Sequence, residues 1–315
     1  MGAKGPITTY QNAFLIYNPN AGRLNRKRDD ILQRTIDALT TDGHRVTTVA
    51  TTGPRTAGAI VRGCLDQSAD LILAAGGDGT INEIANGMAG SRVPLGILPA
   101  GTANVLALEL GIGNNITRAA KALAGLTAVR IGMGLLDNGS EQRHFVLMAG
   151  AGLDALIVYN IDAKLKASLG KVAYWVGGFS QLGRSLPEFE VTMGANTISC
   201  SFALASRVKN YGGDLLIARN ASLFSDQFEV VLFQGAHTFP YMKYLLGVIT
   251  GRLANMQGVK IIKTSSLEIK HAKDPGIYVQ IDGERAGRLP VRLEMIPDSL
   301  TLLVPENFRR KYQHG

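Results

Sequence analysis

The run Gly-Gly-Asp-Gly-Thr at Gly76–Thr80 follows the apolar stretch Leu71–Ala75 and precedes INEIANGM, whose apolar residues recur at helical spacing. Such a junction suits phosphate binding. A helix start offers backbone N–H groups with no partner inside the helix, together with a partial positive charge. Gly76, Gly77 and Gly79 have no Cβ, so the backbone there can approach a ligand closely and take up φ > 0 where successive N–H groups must converge. A plainer reading is also open from these residues alone. Asp78-Gly79 is a common turn pair, and Thr80 with Glu83 has the S/T-x-x-E spacing of a helix capping box.

The following segment, PLGILPAGTANVLALEL, repeats the arrangement: a short strand, a turn through Pro99, Ala100 and Gly101, and a helix expected from Thr102 to Leu110. Two phosphate-competent helix starts on neighbouring strands fit the rule that α/β sheets bind ligands outside the carboxyl ends of their strands. Two further carboxylates draw notice. Asp154 follows the strand-like FVLMAG and either faces a cleft or caps the next helix. Glu284 follows Asp282-Gly283, an ordinary hairpin pair, where a Glu is usually just exposed. The stretch GAGLDA satisfies G-x-G-x-x-A but fails as a dinucleotide fingerprint, because Lys171–Gly177 stand where the acidic residue belongs.

The elements that must hold these residues fall into two groups. From Ala13 to about Val129, short β-branched runs alternate with helical periodicity, predicting βα units and a mostly parallel sheet. Strands are expected at 13–17, 45–50, 70–75 and 94–98, and helices over 24–39, from about Arg55, and up to about Met88. Ile31, Leu32, Ile36 and Leu39 share one face of the first helix. Beyond Ala128, strands dominate, at about 129–136, 143–149, 188–193, 197–206, 228–233 and 277–281. Two apolar helical inserts, near 170–182 and 240–249, interrupt them. The boundary falls within 126–138.

The chain has 315 residues, a formal charge of +8 and 46% hydrophobic residues, which bounds it to one large or two medium globular cores. Two is the better fit. The basic residues stand in short groups (Arg23, Arg26, Lys27 and Arg28; Lys164, Lys166 and Lys171; Arg309, Arg310 and Lys311), which fits a plain solvated surface as well as attraction to an anionic lipid face, while no aromatic-basic platform for nucleic acid is present. Cys64 and Cys200 have no partners at metal-ligand spacing, and a reducing compartment fits. The N-terminal residues lack an apolar leader core, and the longest apolar stretch, 145–159, is shorter than the ~20 residues that cross a bilayer. The expected location is therefore cytoplasmic and peripheral to the membrane.

GGDGTINE followed by GILPAGTAN resembles the diacylglycerol kinase catalytic-domain family, which includes bacterial lipid kinases and sphingosine kinases. YNPNAG (17–22), Thr51, GAGLDA (150–155) and IDGE (281–284) extend the resemblance over most of the chain. It implies an α/β domain of NAD kinase/diacylglycerol kinase type (1–130, with 297–315 packing back on it) and a β-sandwich-like lipid-substrate domain (131–296), with ATP in the cleft between them. It implies ATP and Mg²⁺ as cofactors. Asn18, Pro19, Thr51, Gly76, Gly77, Asp78, Gly79, Thr80, Asn82, Glu83, Gly101, Thr102 and Asn104 would position the nucleotide, Asp78 its metal ion. By the same resemblance Glu284 is the general base and Asp154 lies at the substrate. A structural Mg²⁺ would sit on Asp226 and the carbonyls of Leu223 and Phe228, in a loop where Gln227 replaces the usual glycine. A glutamine would be strained there if φ > 0 is required.

The implied activity is transfer of a phosphoryl group from ATP to a hydroxyl of a membrane lipid, diacylglycerol by default. NAD kinases share the GGDG loop but resemble GINxGxxGFL where this chain has GILPAGTAN, and the chain lacks their TPTGSTAY-like stretch. A non-catalytic lipid or nucleotide sensor is opposed by the presence of Asp78, Glu83 and Glu284. An edge of the β-rich domain is open to pairing in a homodimer.

Overall fold

The computed structural model describes residues 8–24, 28–160, 186–211, 215–235, 239–271 and 276–313. The helical insert expected near 170–182, the lysines at 164, 166 and 171, and Arg26 and Lys27 lie outside them. The chain divides into two compact units, one formed by residues up to Ile131 together with those from Asp298 onward, the other by Gly132–Pro297.

In the first unit, strands β1 (Ala13–Tyr17), β2 (Val46–Ala50), β3 (Leu71–Gly76) and β4 (Leu95–Pro99) pair in parallel in the order β2-β1-β3-β4. The end of the long strand Val291–Pro305 joins β4, also in parallel, with Leu302 opposite Leu95. Every residue of β3 is buried, as an apolar run covered on both faces requires. Leu71, Leu73 and Ala75 enter one core with Leu15, Leu39, Ala119, Leu123 and Leu303, while Ile72 and Ala74 are buried on the opposite face. Helices α1 (Arg28–Thr41), α2 (Ala57–Asp66), α3 (Asp78–Gly87), α4 (Val105–Glu109) and α5 (Ile116–Lys121) supply the covering layers. Because the strands are parallel and in register, the loops after β1, β2, β3 and β4 emerge at one edge of the sheet.

The second unit is a β-sandwich. One sheet runs β14 (Val259–Thr264), β13 (Phe228–Phe233), β10 (Phe202–Ser206), β7 (Met148–Gly152), β16 (Tyr278–Ile281), β17 (Glu284–Arg288). The facing layer contains β8 (Phe189–Met193), β9 (Asn196–Cys200), β15 (Ser266–His271) and the start of β18 (Val291–Pro305), with β5 (Leu126–Asp137) and β6 (Gln142–Phe145) beside it, and the short strands β11 (Asn210–Tyr211) and β12 (Leu215–Leu216) pair with each other. Phe189, Val191, Ile269 and Leu293 from this layer share a core with Phe228, Val230, Ala203 and Ile281 from the other. The single strand expected over 197–206 is two. The chain passes from one sheet to the other at Ser201, which is fully buried, donates its amide to Phe233 O at 3.0 Å and its hydroxyl to Gly235 O. The helix expected near 240–249 is present as α7 (Phe239–Thr250), after α6 (Leu153–Asn160), and the last element is α8 (Glu306–Gln313).

Candidate active site

Helix α3 begins at Asp78, with Gly77 as its N-cap in extended conformation and no side-chain cap. The first intrahelical bond runs from Ile81 N–H to Gly77 O, at 3.0 Å. The Thr80–Glu83 capping box that the spacing left open is therefore not formed, because Thr80 already lies inside the first turn. Glu83 works elsewhere: its carboxylate accepts from the amides of Arg55 (2.8 Å) and Ala57 (3.0 Å) and fixes the start of α2. The glycines are not in the left-handed region either, since neither Gly76, Gly77, Gly79 nor Gly101 has positive φ. Close approach is what requires them. A Cβ on Gly76 would lie 2.6 Å from Thr80 Cβ, and one on Gly101 would lie 2.4 Å from Gly77 Cα. The amides of Ala100 and Gly101 both donate to Gly76 O, at 3.0 and 3.1 Å, so the two glycine turns are zipped edge to edge.

The second turn differs in detail from the sequence expectation. Helix α4 starts at Val105 and is preceded by Asn104, which is fully buried and left-handed (φ 49°, ψ 50°). Asn104 Oδ1 accepts from Gly101 N–H and its Nδ2 donates to Gly101 O, both at 2.9 Å, bracing the turn. Thr102, where the helix was expected to begin, is exposed. The cap comes instead from the neighbouring loop: the Asp78 carboxylate accepts from Val105 N–H at 3.1 Å and Leu106 N–H at 3.2 Å. Charge-assisted bonds of this kind satisfy amides that the helix itself cannot.

The remaining first-unit candidates lie along the same sheet edge. Asn18 donates from Nδ2 to Thr80 Oγ1 at 3.3 Å and accepts from Asn20 N–H at 2.9 Å, with Pro19 half-buried beside it. Thr51 is buried just past β2, its amide bonded to Tyr17 O at 2.9 Å. Asn82 is turned into the protein, where its Oδ1 accepts from Asn86 Nδ2 at 3.1 Å. One cation was missed by sequence reasoning. Arg23, counted there only as surface charge, donates from Nε to Gly101 O at 3.2 Å and from Nη1 to Asn114 O at 2.6 Å, placing its guanidinium against the second turn.

In the second unit, Asp282 (φ 49°) and Gly283 (φ 80°) form the tight turn joining β16 to β17, and Glu284 is the first residue of β17. Glu284 Oε2 lies 3.3 Å from Nη2 of Arg143, whose Nη1 donates to Arg285 O at 3.1 Å. The turn is anchored from below, which its Asp-Gly letters do not disclose. The buried Asp282 carboxylate accepts from the amides of Val146 (2.8 Å), Leu147 (2.9 Å) and Met148 (2.9 Å). Asp154 falls in α6, and its side chain lies outside the described residues.

At the expected structural metal site, Asp226 is exposed, Leu223 and Phe228 are buried, and Gln227 does not adopt positive φ, so the feared strain is absent. The Leu223 carbonyl already has a partner, Arg207 Nη2 at 2.8 Å. Arg207 is completely buried. Its Nη1 donates to Val146 O at 3.1 Å, and burial pushes its guanidinium down to about 10, against the opposing charges of Asp282 and Asp226. Among the described residues no cluster of three His, Cys, Asp or Glu is arranged to hold a metal ion, and no helix is long and apolar enough to cross a membrane.

The fold is an α/β sheet ending in two interlocked glycine turns, followed in the chain by a β-sandwich. Residues 12–136 match the family model described as the diacylglycerol kinase catalytic domain, and residues 148–304 match the YegS C-terminal NAD kinase beta sandwich-like domain. The chain is 31% identical over 286 residues to a diacylglycerol kinase of Bacillus subtilis (strain 168), covering 89% of this chain and 92% of that one. It is 28% identical over 245 residues to a diacylglycerol kinase of Mycobacterium tuberculosis (strain ATCC 25618 / H37Rv), covering 76% and 78% respectively. The crystal structure of a diacylglycerol kinase from Bacillus anthracis str. Sterne has the same fold, with a TM-score of 0.76 at 21% identity over 95% of this chain and 98% of that one. This chain belongs to the diacylglycerol kinase catalytic-domain family, and its activity at the level of that family is ATP-dependent and lipid-kinase-like.

Proposed function

We propose that the chain transfers the γ-phosphoryl group of ATP to a hydroxyl of a membrane lipid, with diacylglycerol as the first acceptor to test. The observation that carries this reading is the zipped pair of glycine turns, with Asp78 bridging them and Arg23 alongside. The first-turn amides of α3 suit the phosphate oxygens, and glycine at 76 and 101, where a Cβ would collide with Thr80 and Gly77, lets the two turns pack tightly together. Asn18, Pro19, Thr51, Thr102 and Asn104 shape the surrounding loops, while Asn82 and Glu83 act from behind them. Nucleotide-bound Mg²⁺ would neutralise charge on the transferring group, with Asp78 as the residue that organises it.

Phosphoryl transfer needs little from the protein beyond position and charge, plus a group to accept the hydroxyl proton. Glu284 is assigned that role. Its carboxylate oxygen takes the proton as the acceptor oxygen attacks phosphorus and the bond to the leaving ADP oxygen breaks. Arg143 holds the carboxylate from one side and the Asp282 turn fixes its backbone, so Glu284 is pre-oriented. Asp154 is proposed at the acceptor. On α7, Leu246 and Ile249 are exposed apolar side chains three residues apart, beside exposed Lys243, a face suited to an anionic bilayer.

The test offers radiolabelled ATP to the purified protein with a total lipid extract in one reaction and NAD in another. Label in the organic phase, dependent on Glu284, is the expected result. Label on NAD, or none in either, would overturn the reading.

A further inference from the structure

We infer that the Arg207 guanidinium is the resident cation of the second unit, tying the 223–228 loop to the 146–148 segment, and that this chain uses no divalent ion at Asp226. Where the family resemblance implies a metal held by Asp226 and the Leu223 and Phe228 carbonyls, the donor set does not suit one. It has a single carboxylate, and that carboxylate is exposed. One of the two carbonyls, Leu223 O, already accepts from Arg207 Nη2 at 2.8 Å. A magnesium ion on the same oxygen would stand within about 5 Å of a buried positive charge. Like charges at that separation, with little water between them, repel strongly.

Arg207 meets the structural demand that a metal would otherwise meet. Its side chain is wholly inside the protein, where an isolated charge is costly unless it is paired or hydrogen-bonded. Nη2 reaches Leu223 O on the loop before β13, and Nη1 reaches Val146 O. Its backbone amide donates to Leu147 O at 2.8 Å. Val146 and Leu147 in turn donate their amides to Asp282, the residue that sets the Glu284 turn. One cation thus spans two segments distant in sequence, and its charge offsets part of that of the Asp282 and Asp226 carboxylates. The link fixes the footing of Glu284 from behind, so Arg207 is a positioning residue.

The experiment melts the nucleotide-free protein in EDTA and in magnesium, for wild type, Asp226→Asn and Arg207→Asn, with Mn²⁺ binding followed by electron paramagnetic resonance. Wild type should melt at the same temperature in both buffers and show no Mn²⁺ signal that Asp226→Asn removes. Arg207→Asn should melt several degrees lower and lose kcat more than KM toward whichever acceptor wild type uses. Arg207→Lys, which keeps the charge but not the two-pronged reach, should recover only part. A wild-type melting point that drops in EDTA, with the drop abolished in Asp226→Asn, would overturn the inference. So would an Arg207→Asn protein as stable as wild type. If Arg207→Asn does not fold, the wild-type and Asp226→Asn comparison decides the metal and Arg207→Lys decides the bridge. The readout is independent of the lipid acceptor, so it can fail while the kinase reading stands.

Discussion

Replacing Asp78 by alanine removes the acceptor for Val105 N–H and Leu106 N–H, which stand at 3.1 and 3.2 Å from its two oxygens. Both residues are buried, so water cannot fully replace the lost bonds. Loss of a helix cap costs roughly 0.5–2 kcal/mol, and an unsatisfied buried donor about 1–3 kcal/mol. Asp78 is half-exposed, which argues for the lower part of the combined range, about 2 kcal/mol. For a unit of this size that corresponds to a fall in melting temperature of about 4–8 °C. The assay is calorimetry without nucleotide and with EDTA, so that no metal or phosphate contact contributes. Asp78→Asn, which keeps one acceptor oxygen, should fall by roughly half as much. An alanine variant melting within about 1 °C of wild type would refute the claim that Asp78 holds α4 in place. If the fall is seen, the kinetic defect of any Asp78 variant contains a positioning component as well as an electrostatic one.

Glu284→Gln should retain its melting temperature, since the side chain is partly solvated, while kcat drops by at least about 100-fold; comparable turnover in the folded variant removes Glu284 as the base. Gly101→Ala sets a Cβ 2.4 Å from Gly77 Cα, and forcing the turns apart should destabilise by about 1–3 kcal/mol. Equilibrium dialysis with ATP should show weakened binding in that variant. His44 is buried, accepts from Tyr10 N–H through Nδ1 at 3.1 Å, and burial depresses its pKa below 6.5. Below that value the unfolded chain binds a proton that the folded chain resists. The associated stability is therefore complete above pH 6.5 and is lost on acidification, at no more than about 1.4 kcal/mol per pH unit. Denaturant midpoints measured from pH 7.5 to 5 should show this slope, and His44→Gln should flatten it.

The fold class was legible because its strongest signals are local. An uninterrupted apolar run such as Leu71–Ala75 ending in glycines has few other readings than a buried parallel strand meeting a helix. What the sequence obscured are contacts between segments. Thr80 and Glu83 have the spacing of a cap, yet Glu83 serves the loop at Arg55 and Ala57, and the cap of α4 comes from Asp78. Thr102 has capping chemistry, but a left-handed Asn104 delays the helix. Arg207, in the polar string SRVKN, reads as surface, and only the fold shows it enclosed. The strand SLEIKH (β15) alternates in the manner of a half-buried strand, so it was within reach of periodicity alone.

The first unit takes a strand from the far end of the polypeptide, where Leu300, Leu302, Leu303 and Val304 are buried beside β4. During translation the N-terminal segment thus waits, with an open and sticky β4 edge, until residues 298–305 have been made. Truncation before Leu300 would strip away that missing rib and leave the two glycine turns on an unfinished scaffold. Chaperone dependence of the newborn chain is the cellular signature to look for.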